Sequence, residues 1–343
     1  MNRSSAKVPA PARLRGVAKK KGQSVGQTIG GIVAGIDQQI FRTTPPVNEL
    51  VAKGTPLAPV PASGGGTMTV GMPGDPAGSP GPDRLRLEAA GVSVVIDLAA
   101  GGRVASFVVD GKELLRTEGM GPIAWGSFPM APYAGRIRDG SFTFDGRRIE
   151  LPITMPPHAI HGTVLDRRWQ DVGDGVIEAT FGPDWPFAGR AVQRFTLTTD
   201  TLTCRLEVHA DEPMPAYVGW HPWFVRRLPG VAGQLELDLD AGSMYVRDAD
   251  GITTDRRIPP TPGPWDDCFT DLRRSPVLRW PGFVELTIES DCPDWVVFTV
   301  PDDALCVEPQ TAPPDAFNRD PGIVVPGTPL VAEMTWRWRS LAG

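Results

Sequence analysis

Short runs of alternating or continuous apolar residues recur along the chain from residue 84 onwards, and sequences typical of turns separate them. The first pair of runs comprises Arg84–Glu88 and Val92–Leu98, and a longer pair comprises Ala191–Thr198 and Leu202–Ala210. Alternation with a period of two is typical of a half-buried β-strand, whereas an amphipathic helix needs apolar positions three and four residues apart. No convincing helical pattern of about 12 residues follows residue 84, so the pattern predicts strands almost throughout.

Turn sequences divide these strands into hairpins. Asp110-Gly111 and Asp145-Gly146 each lie between two apolar runs, and Thr199-Asp200-Thr201 separates the longer pair. Both central positions of a tight hairpin turn need positive φ, which Asp and Gly tolerate. Further strands are predicted at Gln234–Asp240, Val284–Glu289, Trp295–Val300 and Glu333–Trp338. With turn signals about every 8–12 residues, the segment is predicted to form one large antiparallel β-sandwich or barrel.

The first 83 residues differ in character from the rest. Residues 54–83 contain seven prolines and eight glycines, a composition that cannot bury enough apolar surface to offset the entropy of ordering the chain. We therefore predict a linker over 54–83 and a β domain over 84–343. Residues 1–53 are predicted to be a disordered tail, although six aliphatic residues from Val25 to Ile40 fall at helical spacing. A short helix that docks on a partner or a membrane surface is one interpretation. A weakly helical tail is the other, because four glycines interrupt the segment.

Composition and charge exclude several classes of partner. The whole chain carries a net charge of −6, while residues 1–53 carry +7, so the remainder carries −13. Nucleic acid requires clustered cations, so an acidic domain favours a neutral small molecule instead. No stretch reaches the ~18 apolar residues of a membrane span. We also expect a cytoplasmic protein with buried, reduced thiols and no metal site, since its cysteines show neither a CxxC pair nor zinc-site spacing. These are Cys204, Cys268, Cys292 and Cys306.

A few polar residues stand out as candidates for chemistry. His161 and His221 fall in segments predicted to be irregular, where functional groups are often presented, whereas His209 lies on a predicted strand and is expected to be structural. Glu308 directly follows the apolar run Ala304–Val307, and a carboxylate at the end of a buried strand is costly unless it is paired or titrated.

Two further candidates lie outside these segments. Arg136 offers a rigid donor fork beside an apolar run, and Asp266-Asp267 follow Trp265 in a Pro-rich loop. Each has an ordinary alternative, namely a surface arginine and a turn cap.

In their order along the chain, these segments resemble the motifs of the aldose 1-epimerase (galactose mutarotase) family. The closest likeness is Glu308-Pro309-Gln310-Thr311, which matches the family's Glu-Pro-Gln-Thr signature. Trp220–Phe224 is similar to its His-Pro-aromatic-Phe motif, Ile160–Gly162 to its His-Gly-Gly motif, and Gly135–Ile137 to its Asn-Arg-Ile motif. Each motif is short, but four of them in the right order are specific. Gly135 stands in place of the family's Asn and Thr163 in place of its second glycine, which leaves the preferred sugar open.

The resemblance implies a large antiparallel β-sandwich of the galactose mutarotase type and an aldohexose substrate. Glu308 is implied to take the proton of the anomeric hydroxyl while His221 protonates the ring oxygen, so that the ring opens and recloses on the other face. His161 and Arg136 are implied to hold ring hydroxyls or the ring oxygen, and Asp266 or Asp267, with a slight preference for Asp267, to hold a hydroxyl. We add two substrate contacts, Gln310 in the signature and Trp223 as an aromatic face for a pyranose. This chemistry requires no cofactor.

Three alternatives remain open at this point. A hexose-6-phosphate mutarotase would need cations near the site, for which Arg136, Arg138, Arg167 and Arg168 are candidates. A glycosidase would use two carboxylates, Asp267 and Glu308, but would leave His221 without a role. A non-catalytic carbohydrate-binding protein on the same fold would bind sugar without needing Glu308.

Overall fold

The computed structural model describes residues 83–342, so the predictions for the tail and for nearly all of the linker lie outside the described residues. Within that range the chain is almost entirely β, as predicted, and its only helical elements are 3-10 turns at Arg138–Gly140 and Ala316–Asn318. Neither turn has the length and apolar character that a membrane crossing would demand.

Twenty-five strands are found in the described range. The first thirteen are β1 Arg84–Ala89, β2 Val92–Asp97, β3 Arg103–Val109, β4 Lys112–Glu113, β5 Ser127–Met130, β6 Arg136–Ile137, β7 Ser141–Phe144, β8 Arg147–Glu150, β9 Ala159–Ile160, β10 Gln170–Gly173, β11 Val176–Thr180, β12 Gly189–Leu197 and β13 Thr201–Ala210. The others are β14 Met214–Pro215, β15 Gly219–Val225, β16 Glu236–Asp238, β17 Ala241–Arg247, β18 Thr253–Ile258, β19 Asp266–Leu272, β20 Val277–Trp280, β21 Val284–Ser290, β22 Asp294–Phe298, β23 Ala304–Gln310, β24 Ile323–Val324 and β25 Leu330–Ser340.

Two antiparallel sheets contain most of these strands. The larger has the order β1-β2-β3-β5-β15-β23-β22-β19-β17-β18, with β4 beside β3. The smaller has the order β10-β11-β12-β13-β25-β21-β20-β16. The pairs β6-β9, β7-β8 and β14-β24 form separate ribbons. The predicted hairpin turns are confirmed, with φ of 45° and 76° at Asp110 and Gly111 and of 48° and 70° at Asp145 and Gly146.

The two sheets pack face to face through aromatic side chains. Trp336 of β25 lies 5.1 Å from Phe107 of β3 and 5.2 Å from Phe224 of β15, measured between ring centroids. Trp220 Nε1 donates a hydrogen bond to Gln193 Oε1 of β12 at 3.3 Å. Because neighbouring side chains of a strand point to opposite faces, Trp220 and Phe224 face the smaller sheet, and His221 and Trp223 of the same strand point away from it.

Three positions differ from the sequence prediction. His221 lies within β15 rather than in an irregular segment, Glu308 lies within β23 rather than after it, and Asp266 and Asp267 begin β19 rather than cap a loop. The central strands β15 and β23 are buried on both faces, so they lack the polar alternation that reveals a strand. Their prolines, Pro222 and Pro309, add a further signal against a strand.

The cysteines follow the sequence prediction. All four are buried, and none of them forms a disulfide bond.

Candidate active site

The residues predicted to be catalytic share one face of the larger sheet. Directly paired residues of adjacent antiparallel strands place their side chains on the same face. His221 of β15 pairs with Phe128 of β5, and Trp223 pairs with Cys306 of β23. Cys306, Glu308 and Gln310 alternate along β23, so all three join His221 on the face that points away from the smaller sheet.

His221 and Glu308 form a buried pair at the centre of this face. His221 Nε2 lies 3.2 Å from Glu308 Oε1, and the two side chains are only 7% and 2% exposed. Gln310 Nε2 donates to the other carboxylate oxygen, Glu308 Oε2, at 3.4 Å. A buried carboxylate that contacts an imidazole and an amide can exchange a proton with the imidazole directly.

Burial moves the two pKa values in opposite directions. It raises the pKa of Glu308 well above its ordinary value, with a further increase from the charge of Asp266 and a decrease from Arg136. It lowers the pKa of His221 to about 3, and the charge of Arg103 contributes to the decrease. Both shifts disfavour charge, so the free protein favours a neutral pair in which Glu308 holds the proton.

The pair predicts a plateau in the dependence of the unfolding free energy on pH. The folded pair holds one proton through the neutral range, whichever group carries it. With ordinary pKa values of 4.5 and 6.5, the unfolded chain holds two protons on these groups below pH 4.5, one between these values, and none above pH 6.5. The pair's contribution is therefore constant from pH 4.5 to 6.5. It falls by about 1.4 kcal/mol per pH unit from pH 4.5 down to the His221 pKa of about 3, and above pH 6.5 for as long as Glu308 holds its proton.

Urea unfolding of the wild type and of the Glu308→Gln/His221→Asn double variant at a series of pH values measures this contribution, because groups that do not interact with the pair cancel in the difference. A difference curve that slopes between pH 4.5 and 6.5 would show that the pair is not held as described.

A long excursion between β5 and β10 brings His161 and Arg136 to the same face. Arg136 of β6 pairs with Ile160 of β9, and His161 follows directly with a left-handed φ of 62°. His161 N donates to Gly135 O at 3.0 Å, and a Cβ on Gly162 would meet Ala131 O at 2.1 Å, so only glycine fits there. The His161 ring stands edge-on to His221 at 5.0 Å between centroids. Burial holds its pKa well below the ordinary value, with smaller contributions from His221 and Arg136.

The two adjacent aspartates are placed differently. Asp266 Oδ2 lies 3.6 Å from Arg136 Nη2 and 2.9 Å from Arg247 Nη1, and its charge acts on Glu308. Among the arginines of the described chain, Asp267 contacts only Arg247, with 3.1 Å between Asp267 Oδ1 and Arg247 Nε. Because Asp267 is the next residue of β19, its side chain points to the opposite face of the sheet from that of Asp266. The geometry therefore places Asp266 beside Arg136 and Glu308, and it does not bring Asp267 to them.

Gln310 and Trp223 both lie on the face of the site, but Trp223 is packed rather than open. Its ring stacks on His221 at 5.3 Å and 20°, and the Arg116 guanidinium lies 4.4 Å from the ring centroid. Its Nε1 donates to Ile123 O at 2.9 Å. These contacts orient His221, and the role of Trp223 as a sugar platform remains a prediction.

Two residues of the site have no signal in the sequence. The Phe128 ring stacks on His221 at 4.8 Å and meets His161 edge-on at 5.7 Å. Arg103 is fully buried, and its guanidinium lies 5.2 Å from the Phe128 ring centroid. It donates to the carbonyl oxygens of Ala100, Trp125 and Leu165 at 2.6–2.9 Å. Arg103 thus joins the β2–β3 turn to two loops beneath the histidines, a role that depends on contacts far apart in sequence.

Unpartnered polar atoms collect at this site. His161 Nδ1, His221 Nδ1 and Gln310 Oε1 are buried and have no hydrogen-bond partner within residues 83–342. Buried polar atoms without a partner are rare and costly in native proteins. Three of them around one ionisable pair mark this cluster as the candidate active site.

The two departures from the family motifs have local explanations. Gly135 has a φ of 63°, and a Cβ at that position would lie 2.8 Å from Pro314 Cγ, so a larger residue would have to displace the proline. The Thr163 hydroxyl is engaged in packing of the fold, since its Oγ1 donates to Phe181 O at 3.2 Å.

Comparison with known proteins gives one family. The sequence model of the aldose 1-epimerase family matches residues 83–337. YphB of Escherichia coli K12, which is described as uncharacterized, is 32% identical over 133 residues, or 36% of this chain and 46% of YphB. The matched segment therefore spans about half the length of that relative.

Solved structures share the fold. A candidate aldose 1-epimerase of Escherichia coli K12 aligns with a TM-score of 0.65 and 21% identity, over 75% of this chain and 99% of the other. A galactose mutarotase-like protein of Clostridium acetobutylicum aligns with a TM-score of 0.64 and 16% identity, over 74% and 94% of the two chains. Galactose 1-epimerase of Lactobacillus acidophilus aligns with a TM-score of 0.61 and 17% identity, over 75% and 94%.

Proposed function

Because this chain belongs to the aldose 1-epimerase family, we propose that it interconverts the α and β anomers of a neutral aldose, with Glu308 and His221 as the proton-transfer pair. The observation that carries the proposal is the buried 3.2 Å contact between His221 Nε2 and Glu308 Oε1 among unpartnered polar atoms. Hydroxyls of a sugar can both donate to and accept from such atoms.

The reaction needs one proton removed and one supplied. The anomeric oxygen and the ring oxygen are bonded to the same carbon, so two adjacent groups can reach both. Glu308 accepts the proton of the anomeric hydroxyl, His221 donates a proton to the ring oxygen, and the bond between C1 and the ring oxygen breaks. Rotation about C1–C2 and reclosure on the other face reverse both transfers, so the pair ends with the proton count it began with.

For Glu308 to act first as the base, the shared proton must reside on His221. Burial favours the opposite arrangement in the free protein, but the 3.2 Å contact lets the proton cross from Glu308 to His221 when sugar binds. The Arg136 guanidinium supports this step, because its charge lowers the pKa of Glu308. His161, Arg136, Asp266 and Gln310 then hold the sugar, and Asp266 replaces Asp267 as the aspartate that we assign to a hydroxyl.

A phosphorylated sugar is disfavoured by the partners of the arginines. Arg138 is paired with Asp248 and Asp250, Arg167 with Asp184, and Arg168 with Asp83. Within the described chain, Arg136 is also paired, with Asp266. A phosphate would have to compete with these carboxylates, whereas a neutral sugar leaves the pairs intact.

Polarimetry tests the proposal. Freshly dissolved α-D-glucose and α-D-galactose are expected to relax to equilibrium faster with the protein than in buffer, and glucose 6-phosphate is expected to respond more weakly. A relaxation rate equal to that of buffer for every aldose would contradict an epimerase, and a preference for the phosphorylated sugar would contradict the neutral substrate.

A further inference from the structure

One side chain on the same face of the larger sheet as His221 and Glu308 has no role in the proposed reaction. Cys306 precedes Glu308 by two residues on β23 and is fully buried. Its Sγ, a carboxylate oxygen of Glu308 and a ring nitrogen of His221 all lie within 4.8 Å of one another. No hydrogen bond engages the Cys306 thiol within residues 83–342, so this sulfur is available as a ligand.

The spacing of these three atoms is close to that of a tetrahedral metal site. Ligands at ~2.0–2.3 Å from Zn²⁺ lie about 3.3–3.8 Å from one another in a tetrahedron. His221 Nε2 and Glu308 Oε1 are already 3.2 Å apart. In such a site a sulfur lies about 3.5 Å from a nitrogen or oxygen ligand, so the Cys306 sulfur, which is within 4.8 Å of both atoms, has to close by about 1.3 Å at most. Adjacent central strands hold all three residues, so the rest of the site is rigid.

The donor types select a class of cation. Ca²⁺ and Mg²⁺ prefer oxygen ligands, whereas an imidazole with a thiolate suits Zn²⁺. The thiolate and the carboxylate together carry two negative charges, so they neutralise a divalent ion, as a buried site requires. Three protein ligands leave a fourth position open.

We propose that His221, Cys306 and Glu308 bind a divalent cation of the Zn²⁺ class, and that this binding excludes the sugar and stops the reaction. The metal replaces two protons, one from the Cys306 thiol and one from the His221–Glu308 pair, and both pass to solvent. The metal site stands on the geometry alone, whereas the inhibition rests on the proposed function.

Binding of Co²⁺ to the reduced full chain tests the site without reference to activity. A thiolate ligand gives an intense sulfur-to-cobalt charge-transfer absorption, and Zn²⁺ should displace Co²⁺ and abolish it. Cys306→Ala should weaken binding by at least about 10–100-fold and remove the absorption. Cys268→Ala is the matched control, because Cys268 is an equally buried cysteine on the same face, two strands away.

An absorption that is absent from the wild type, or that survives in Cys306→Ala, would overturn the site. Cys306→Ser, which keeps the size of the side chain, repeats the comparison if Cys306→Ala does not fold.

Polarimetry tests the second half of the proposal. Zn²⁺ is expected to inhibit the wild type and Cys268→Ala in competition with sugar. Cys306→Ala is expected to keep its basal rate and to resist Zn²⁺. Full activity at a Zn²⁺ concentration that saturates the cobalt-defined site would overturn mutual exclusion. A wild type that binds Co²⁺ through a thiolate but accelerates no anomerisation would contradict the proposed function and leave the metal site standing.

Discussion

Glu308→Gln is expected to lower the rate of anomer interconversion by about 10²–10⁴-fold, the usual contribution of one proton-transfer group. The amide has the size and shape of the carboxylate, so contacts with Gln310 and His221 can persist and the fold should be retained. It cannot accept the proton of the anomeric hydroxyl. Removing a buried ionisable group also removes a desolvation cost, so the thermal midpoint is expected to hold or rise.

The measurement is polarimetric relaxation of a freshly dissolved sugar, with Glu333→Gln as the matched control. Glu333 lies exposed on β25 in the other sheet, so the same chemical change there should leave the rate unchanged. A Glu308→Gln protein with the wild-type rate would remove this residue from the mechanism. If the wild type and Glu308→Gln both bind sugar and neither accelerates the relaxation, the protein is a non-catalytic carbohydrate-binding protein.

His221→Asn is expected to cost a similar factor, because the ring oxygen would then lack its proton donor. His221 Nε2 contacts Glu308 Oε1 at 3.2 Å in a buried site. The chain also contains a partly exposed pair of the same type. His209 Nε2 lies 2.8 Å from Glu207 Oε2 on β13, where both side chains are about a quarter exposed. His209→Asn should therefore leave the rate of relaxation at the wild-type value, although it breaks a pair of the same type.

The double variant separates a coupled pair from two independent groups. When two groups act as a unit, removing both lowers the rate little more than removing one. Glu308→Gln/His221→Asn is therefore expected to be about as slow as either single variant. If the factor by which the double variant is slowed equals the product of the two single factors, the two residues serve separate steps.

The sequence revealed the half-exposed strands most fully and the fully buried strands only in part. Strands β1, β12 and β13 were predicted close to their observed bounds, because each alternates polar and apolar residues, which indicates one solvent-exposed face. The strand β15 was mistaken for an irregular segment, because it is buried on both faces and contains Pro222. Of β23, only the apolar run Ala304–Val307 was predicted. The two strands that carry His221 and Glu308 were therefore recognised in part or not at all, because neither has a solvent-exposed face.

The candidate site shows the same division at the level of single residues. The order of the motifs along the chain predicted Arg136, His161, His221 and Glu308 as site residues. The structure brings all four onto or beside one face of the larger sheet. The order could not separate Asp266 from Asp267, because adjacent residues of a strand differ only in the face they occupy. Nor could it find Phe128 or Arg103, whose contacts join segments that are remote in sequence.

By itself, then, the sequence determined an all-β domain, its hairpin turns and a family whose motifs carry acid–base groups. These properties depend on local periodicity, turn chemistry and residue type, all of which are written along the chain. The tertiary structure alone decided that His221 and Glu308 meet at 3.2 Å away from water, that Asp266 lies on the same face of the sheet, and that the Cys306 sulfur lies within 4.8 Å of both groups. The physical reason is that proton affinity and ligand geometry depend on burial and on the register between strands, which only the folded sheet sets.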